Sequence, residues 1–192
     1  MNYFHLEAKV LSRGTGRSVI AAAAYASCSR LYNDYDGLIH DYTRKRGCLY
    51  SEIFLTKNAP EEWKDRQLLW EAVENVEKTK DSRLARELVV ALPRELSFDD
   101  WKRMLEQFVR EQGTNLGMCA DVNIHDTDGH NPHSHIPGTR SSRSRRSPRC
   151  KYPPGTYSTM SRWLRRHTHR KPTPNKVSAH TGHKPLSPSG HS

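Results

Sequence analysis

Residues 120–136 read Ala-Asp-Val-Asn-Ile-His-Asp-Thr-Asp-Gly-His-Asn-Pro-His-Ser-His-Ile, and this stretch decides the fold that we expect for the chain. Apolar and polar residues alternate up to Ile124, which is typical of a strand. The segment 126–132 is rich in residues that favour turns, and residues 133–136 form a second short segment. Two short strands around a compact loop predict an antiparallel hairpin.

Three histidines of this hairpin are expected to converge. Side chains alternate faces along a strand, so His133 and His135 point the same way. His125 ends the first strand, where the hairpin brings it back beside that pair. Three imidazoles in one small volume indicate a metal site with open positions for a substrate. The alternative is three uncharged rings that pack together without a metal, and His130 is interpreted as a loop residue.

Charge is distributed very unevenly along the 192 residues. The formal net charge is +10, yet all 21 acidic residues lie at or before Asp128. Residues 137–192 hold 13 of the 31 Lys and Arg, so residues 1–136 have a formal net charge of −3. The overall basicity is therefore a poor argument for nucleic-acid binding by the first part.

The composition also predicts a boundary at Ile136. We expect a folded domain over 1–136, followed by a disordered, basic tail rich in Pro, Ser and Arg over 137–192. Such an arm could bind nucleic acid non-specifically, although out-of-frame translation after residue 136 explains the same composition. The four cysteines form no Cys-x-x-Cys pair, and no signal or membrane segment is evident, so we expect a cytoplasmic protein.

The order of elements predicts an α+β fold with a mainly antiparallel sheet and helices on one face. The expected elements, in chain order, are a strand over 2–13, a helix from Val19 to about Tyr32 with Ser18 as its cap, a two-stranded ribbon over 39–55, a helix from Asn58, a strand over 84–93, a helix from Ser97 to about Gln112, and the histidine hairpin.

Two side chains outside the hairpin attract attention. Glu87 is a carboxylate inside an apolar strand, where a buried charge needs a partner. It would accept a hydrogen bond from a metal-bound imidazole or pair with Arg83 or Arg86. Tyr25 rises from an alanine-rich helix, and on the residues alone it is either a core aromatic or a side chain that a nucleic-acid strand can approach.

Two basic loops could contact phosphates. Arg13 and Arg17 lie in the loop before the first helix, and Arg44, Lys45 and Arg46 form the tip of the expected ribbon. Three adjacent bases on a turn are often only a solvated loop. In an otherwise acidic domain they are also the best candidates for phosphate contacts.

Over residues 1–136 the chain resembles the MobA/MobL family of plasmid-mobilisation relaxases, which are histidine-hydrophobe-histidine endonucleases. The pieces that carry the resemblance are Tyr3-Phe-His-Leu, Ser12-Arg-Gly-x-Gly-Arg-Ser, Ala21-Ala-Ala-Ala-Tyr25, His40-Asp-Tyr-Thr-Arg-Lys, Glu87 before Ala91-Leu-Pro-Arg-Glu, and Asp121 through His135. The residue between the paired histidines is Ser134 rather than a hydrophobe. The family's sheet also continues past the paired histidines, whereas the expected domain ends at Ile136.

The resemblance implies roles for five residues. Tyr25 falls on the nucleophile, His125, His133 and His135 on the metal ligands, and Glu87 on the acid that supports a ligand histidine. It implies a relaxase that nicks one strand of single-stranded DNA at a plasmid transfer origin, leaving a 5′-phosphotyrosyl strand. A divalent ion, Mn²⁺ or Mg²⁺, and accessory mobilisation proteins are implied as well. The alternatives are a truncated, non-catalytic remnant or DNA binder, and a rolling-circle replication initiator or transposase.

Overall fold

The computed structural model describes residues 5–15, 18–76, 79, 81–127 and 129–139. Its strands are β1 (Leu6–Ser12), β2 (Arg30–Asn33), β3 (Leu38–Asp41), β4 (Cys48–Phe54), β5 (Arg83–Ala91), β6 (Ala120–His125) and β7 (His133–Gly138). Its helices are α1 (Val19–Ser27), α2 (Arg66–Val76) and α3 (Phe98–Gln112), with short 3₁₀ turns at Arg13–Thr15, Glu61–Lys64 and Thr114–Leu116. None of the helices in these ranges is long and apolar enough to cross a membrane.

Five of the strands form one sheet in the order β1-β5-β7-β6-β4, and β2 and β3 form a separate hairpin. Every pair within the sheet is antiparallel, which confirms the expected α+β class. The predicted hairpin is the β6–β7 pair, with His125 opposite His133 and Asn123 opposite His135. Because β7 is the central strand, the histidine pair lies in the middle of the sheet.

Helices cover both faces of the sheet, so the expectation of helices on one face was wrong. Side chains alternate along β6. Val122 and Ile124 belong to the core formed with α3. Asp121 instead accepts hydrogen bonds from Arg66 and Trp70 of α2. The polar residues of β6 therefore face the α1–α2 layer. Their pattern is compatible with a second helical layer but does not predict one.

The first helix is shorter than predicted. It ends at Ser27 because Cys28 adopts the left-handed conformation, with φ 53° and ψ 39°, and its N–H donates to the carbonyl of Ala24. The residues that follow form β2 instead of continuing the helix. The N-terminal end was predicted correctly, since Ser18 Oγ accepts a hydrogen bond from the N–H of Ala21 at 3.1 Å.

The second helix begins later than predicted, at Arg66, because residues 61–64 form a 3₁₀ turn. Its buried side chains are Leu69, Trp70 and Glu74, whereas Leu68 is exposed. The third helix agrees with prediction. It has a complete capping box between Ser97 and Asp100, and its buried residues are Trp101, Met104, Leu105, Phe108 and Val109.

The last strand runs two residues beyond the predicted boundary at Ile136. Pro137 and Gly138 pair with Glu87 and Arg86 of β5. The N–H of Thr139 then donates to the carbonyl of Cys119 at 2.9 Å. The predicted tail from residue 140 onward lies outside the described residues.

Candidate active site

Three histidine rings lie together on the face of the sheet that α1 covers. The ring centroids of His125 and His133 are 5.5 Å apart, and His135 lies 5.2 Å from each of them. A metal–nitrogen bond of about 2.1 Å puts ring centres about 5 Å from one another around a single ion. The ring spacing is thus close to that expected around one ion, but within the described residues the ring nitrogens of the trio do not all lie within 4.8 Å of one another.

The hydrogen bonds of the paired histidines leave the same atom available on each ring. Nδ1 of His133 donates to the carbonyl of Asn131 at 2.7 Å, and Nδ1 of His135 donates to Glu87 Oε1 at 2.7 Å. With the proton on Nδ1, the lone pair is on Nε2. Neither Nε2 has a hydrogen-bond partner in the described part of the chain, so both can bind a metal ion.

The third histidine is held differently. His125 is only 2% exposed. Its Nε2 donates to the carbonyl of Ala26 at 2.5 Å, and its Nδ1 accepts from Lys45 Nζ at 3.3 Å. Burial is the main cause that lowers the pKa of His125 to about 4. The ring is thus neutral near pH 7, as a metal ligand must be, but to join the trio it must exchange one of these contacts for the ion.

Of the partners considered for Glu87, the structure pairs it with a histidine, His135. The side chains of Glu87 and His135 are only 10% and 12% exposed, and they form a hydrogen-bonded pair. The carboxylate fixes the tautomer and the orientation of the imidazole, which is the usual arrangement behind a metal-bound histidine.

Tyr25 lies at the edge of this site, on α1. Its side chain is 43% exposed, so it is not a core aromatic. The ring packs edge-on against His135, with centroids 5.9 Å apart, and edge-on against Tyr42 at 5.3 Å. The tyrosine and the histidine trio therefore lie next to each other on the same side of the sheet.

The basic residues 44–46 lie in the loop between β3 and β4, and the tip of this loop reaches into the same place. The two-stranded ribbon predicted over 39–55 was wrong, because β3 pairs with β2 and β4 pairs with β6. Lys45 Nζ lies 3.7 Å from the centroid of the Tyr25 ring and 3.2 Å from the Tyr25 carbonyl oxygen. The tip is anchored by Gly47, whose φ of 92° suits glycine and whose carbonyl accepts a hydrogen bond from Asp126 just after β6. Lys45 was predicted only as a phosphate contact, and its contact with Tyr25 depends on tertiary structure that the sequence does not reveal.

The remaining basic residues fall into different environments. Arg44 and Arg46 are exposed on the tip. Arg13 is instead buried, with its guanidinium 2.7 Å from Glu74 of α2. Glu74 also accepts a hydrogen bond from the N–H of Val19, so Arg13 helps to fix the start of α1. Arg17 lies outside the described residues.

A second group of ligand atoms lies beside the trio, and it was not predicted from the sequence. The sulfur atoms of Cys28 and Cys48 and one ring nitrogen of His125 all lie within 4.8 Å of one another. Cys48 is opposite His125 in the β4–β6 register. The spacing of the two cysteines in sequence does not predict this, because both the end of α1 and the pairing of β4 are needed to form it.

Comparison with known proteins shows that the chain is similar to conjugal transfer and mobilisation proteins. A model described as "MobA/MobL family" matches residues 17–146. The chain belongs to the MobA/MobL family. This confirms the family predicted from the six pieces of sequence.

Three relatives show how the match is distributed. "Conjugal transfer protein TraA" of Agrobacterium fabrum is 37% identical over 69% of this chain and 13% of its own length. "Mobilization protein MobL" of Acidithiobacillus ferridurans is 38% identical over 65% of this chain and 32% of its own. "Probable mobilization protein MobA" of Bifidobacterium longum is 36% identical over 71% and 24%. The chain thus spans less than a third of the length of these relatives.

A solved structure also matches. Its title is "Molecular Basis of Vancomycin Resistance Transfer in Staphylococcus aureus", and it is 31% identical to this chain. The TM-score is 0.74 over 86% of this chain and 89% of the solved one. This chain therefore shares its fold with that solved protein.

Proposed function

We propose that this chain is a relaxase domain that nicks one strand of DNA at a plasmid transfer origin. In this reaction Tyr25 is the nucleophile, His125, His133 and His135 hold a divalent cation, and Glu87 orients His135. The observation that carries the proposal is the contact between Tyr25 and His135 on one face of the sheet, at 5.9 Å between ring centroids. The names of the relatives, which refer to conjugal transfer and mobilisation, support the biological setting.

The bonds change as follows. The Tyr25 oxygen attacks the scissile phosphorus after the phenol loses its proton, and the bond from phosphorus to the 3′-oxygen breaks. The leaving 3′-oxygen takes up a proton and becomes a hydroxyl, and the 5′ end stays attached to Tyr25. Because one phosphodiester replaces another, the strand can later be resealed without a new energy source.

The donor set of the trio suits the cation that this chemistry requires. Mn²⁺ or Mg²⁺ bound there would polarise the scissile phosphate and neutralise the charge that develops on it. The Nδ1 hydrogen bonds of His133 and His135 leave the Nε2 lone pair of each ring available for the ion. Three imidazoles favour Mn²⁺ over Mg²⁺, which prefers oxygen ligands.

The DNA strand is expected to cross the exposed side of Tyr25, next to the basic residues 44–46 of the loop between β3 and β4. Arg44 and Arg46 are exposed there, and guanidinium groups suit phosphate contacts. Lys45 lies closer in, over the Tyr25 ring. Its ammonium adds positive charge where the phenolate and the phosphate meet. The same proposal includes accessory mobilisation proteins as partners and one particular origin sequence as the DNA substrate.

The test is formation of a covalent adduct. The full chain is incubated with end-labelled, single-stranded DNA from the origin of its own replicon, with Mn²⁺ and separately with Mg²⁺, and adducts are resolved by denaturing electrophoresis. Tyr25→Phe should abolish the adduct, a loss of at least about 10³-fold, because no other oxygen occupies that position. Tyr32→Phe is the matched control, since Tyr32 is 44% exposed and Tyr25 43%.

Three outcomes have distinct meanings. An adduct that persists in Tyr25→Phe would assign the nucleophile elsewhere. An adduct that survives chelation by EDTA would remove the metal from the mechanism. Binding of the DNA without any adduct under either metal would favour the alternative of a non-catalytic single-stranded DNA binder.

A further inference from the structure

The cysteine pair beside the trio forms a site of its own. Cys28 is the residue that ends α1, Cys48 is the first residue of β4, and His125 is the last residue of β6. One atom from each, two sulfurs and one ring nitrogen, lie within 4.8 Å of one another. We propose that this group is a second cation site, selective for a soft divalent ion of the Zn²⁺ class.

The ligand chemistry fits such an ion. Thiolate ligands select Zn²⁺ over Mg²⁺ and Mn²⁺, so the two sulfurs distinguish this group from the all-imidazole trio. With bonds of about 2.3 Å to sulfur and 2.0 Å to nitrogen, the ligand atoms of a tetrahedral zinc site lie about 3.5–4 Å apart. A contraction of about 1 Å is therefore enough to close the site. The fourth position would be filled by water.

Charge must be rearranged when the site is filled, since burial and the neighbouring Cys28 raise the pKa of the Cys48 thiol. Each thiol loses its proton to solvent as it binds, so two thiolates compensate the two charges of the ion. The positive charge now beside His125 is the Lys45 ammonium, 3.3 Å from Nδ1. The same ammonium also lies 3.2 Å from the Tyr25 carbonyl oxygen. An ion that enters the site must therefore be accommodated beside this cation.

His125 belongs to both sets of ligands. An ion held by the two cysteines keeps His125 from joining His133 and His135. A soft ion should therefore inhibit the nicking reaction that the trio supports. This consequence depends on the proposed function, whereas the cysteine site itself does not.

The site is tested by its spectrum, without an activity assay. Co²⁺ is added to the full chain carrying Cys150→Ser, so that the cysteine outside the described residues contributes no thiolate. A bound ion should give a sulfur-to-cobalt charge-transfer band that Zn²⁺ removes. Cys28→Ser and Cys48→Ser should each lose most of the band. Cys119→Ala is the control that should retain it, since Cys119 is buried in the core away from this group.

The outcomes separate cleanly. A band that persists in both Cys28→Ser and Cys48→Ser, or no band at all in protein shown to be folded by circular dichroism, would overturn the proposal. If a variant fails to fold, thiol labelling of the parent protein takes its place. Zn²⁺ should protect Cys28 and Cys48 from a thiol reagent, and equal labelling with and without Zn²⁺ would contradict the site.

The inhibitory role has a second readout. In the Mn²⁺ adduct assay, Zn²⁺ should reduce adduct formation at least about 10-fold in the parent and much less in Cys28→Ser. Equal inhibition of both proteins would show that Zn²⁺ acts at the trio. If no adduct forms under any condition, the proposed function fails, while the cobalt spectrum still decides whether the cysteine site exists.

Discussion

At the scale of single residues, the side chain of His125 is the most constrained of the site. It is buried, it donates to the Ala26 carbonyl and it accepts from Lys45. Its neighbours include the rings of His133 and His135 and a pair of thiols. Burial and the Lys45 ammonium favour the neutral ring and outweigh the Ala26 carbonyl, which favours the charged one. The protonation of this residue should therefore be linked to the stability of the domain.

The metal-free protein should become less stable as the pH is lowered, because of His125. Its pKa is about 4 in the folded chain and 6.5 in an unfolded one. The unfolded state therefore binds a proton at a higher pH, and the contribution is complete above pH 6.5 and lost as the pH falls towards 4. The free energy of unfolding should decrease by up to about 3 kcal/mol over this range. Urea titrations that follow tryptophan fluorescence measure it.

His125→Gln should flatten this pH dependence, because the substituted side chain does not titrate. His130→Gln, at an exposed loop position, should leave the slope unchanged. If the parent protein and His125→Gln lose stability in parallel between pH 6.5 and 4, the effect belongs to other groups.

The pairing of Glu87 with His135 should contribute to metal affinity. Glu87→Gln keeps a hydrogen-bond acceptor but removes the negative charge behind the ring. We expect Mn²⁺ binding, measured by calorimetry or electron paramagnetic resonance, to weaken about 10–100-fold. Glu7→Gln, on the exposed side of β1, should bind Mn²⁺ as the parent does. An unchanged affinity in Glu87→Gln would mean that His135 needs no orientation by the carboxylate.

At the scale of secondary structure, the end of α1 is set by one unusual backbone conformation. Cys28 is the only non-glycine with positive φ in the described part of the chain. The left-handed conformation costs a residue with a side chain about 1 kcal/mol relative to glycine. That cost is tolerated at a position where the thiol faces Cys48 and His125.

Two substitutions at this position should therefore differ. Both Cys28→Gly and Cys28→Ala remove the thiol, but the glycine variant should be more stable by about 1 kcal/mol. The same comparison at Ser27, the last residue of the helix, should have the opposite sign, since glycine is about 1 kcal/mol worse than alanine within a helix. Urea unfolding of the four variants measures both differences, and the same order at both positions would contradict the argument.

Local signals in the sequence were enough for some elements. The capping box of α3 and the β6–β7 hairpin are encoded by neighbouring residues, and both were predicted. The end of α1 was not, because residues 28–32 contain no proline or glycine that would stop a helix. The contacts of Lys45 with Tyr25 and of Cys48 with His125 join residues 20 and 77 positions apart in sequence, as their numbers show. Such contacts depend on strand order, which a single sequence does not specify.

At the scale of the whole molecule, the α1–α2 layer is fastened to the sheet by a buried polar network. Asp121 is 0% exposed and lies on β6. Arg66 contacts both of its carboxylate oxygens, at 2.7 and 2.9 Å, and Trp70 Nε1 donates to it at 3.1 Å. The network joins α2 to the strand that carries His125, so it connects the stability of the layer with the geometry of the site.

Asp121→Asn should be strongly destabilising. It leaves the Arg66 guanidinium without its charged partner in a buried position, and breaking such a pair costs about 3–5 kcal/mol. Asp99→Asn, in the exposed first turn of α3, should cost less than about 1 kcal/mol. Thermal unfolding monitored by circular dichroism compares the two. Equal, small losses would mean that water replaces the carboxylate without penalty.

The central place of β7 makes the assembly of the sheet and the assembly of the site the same event. Glu87, His135 and His125 come from three adjacent strands, β5, β7 and β6. A slip of one residue in the pairing of β7 would turn its two imidazoles towards α3, on the opposite side. A chain with a misaligned sheet should therefore lack the proposed nicking activity altogether. The fraction of active molecules in a preparation would then equal the fraction whose strands are correctly aligned.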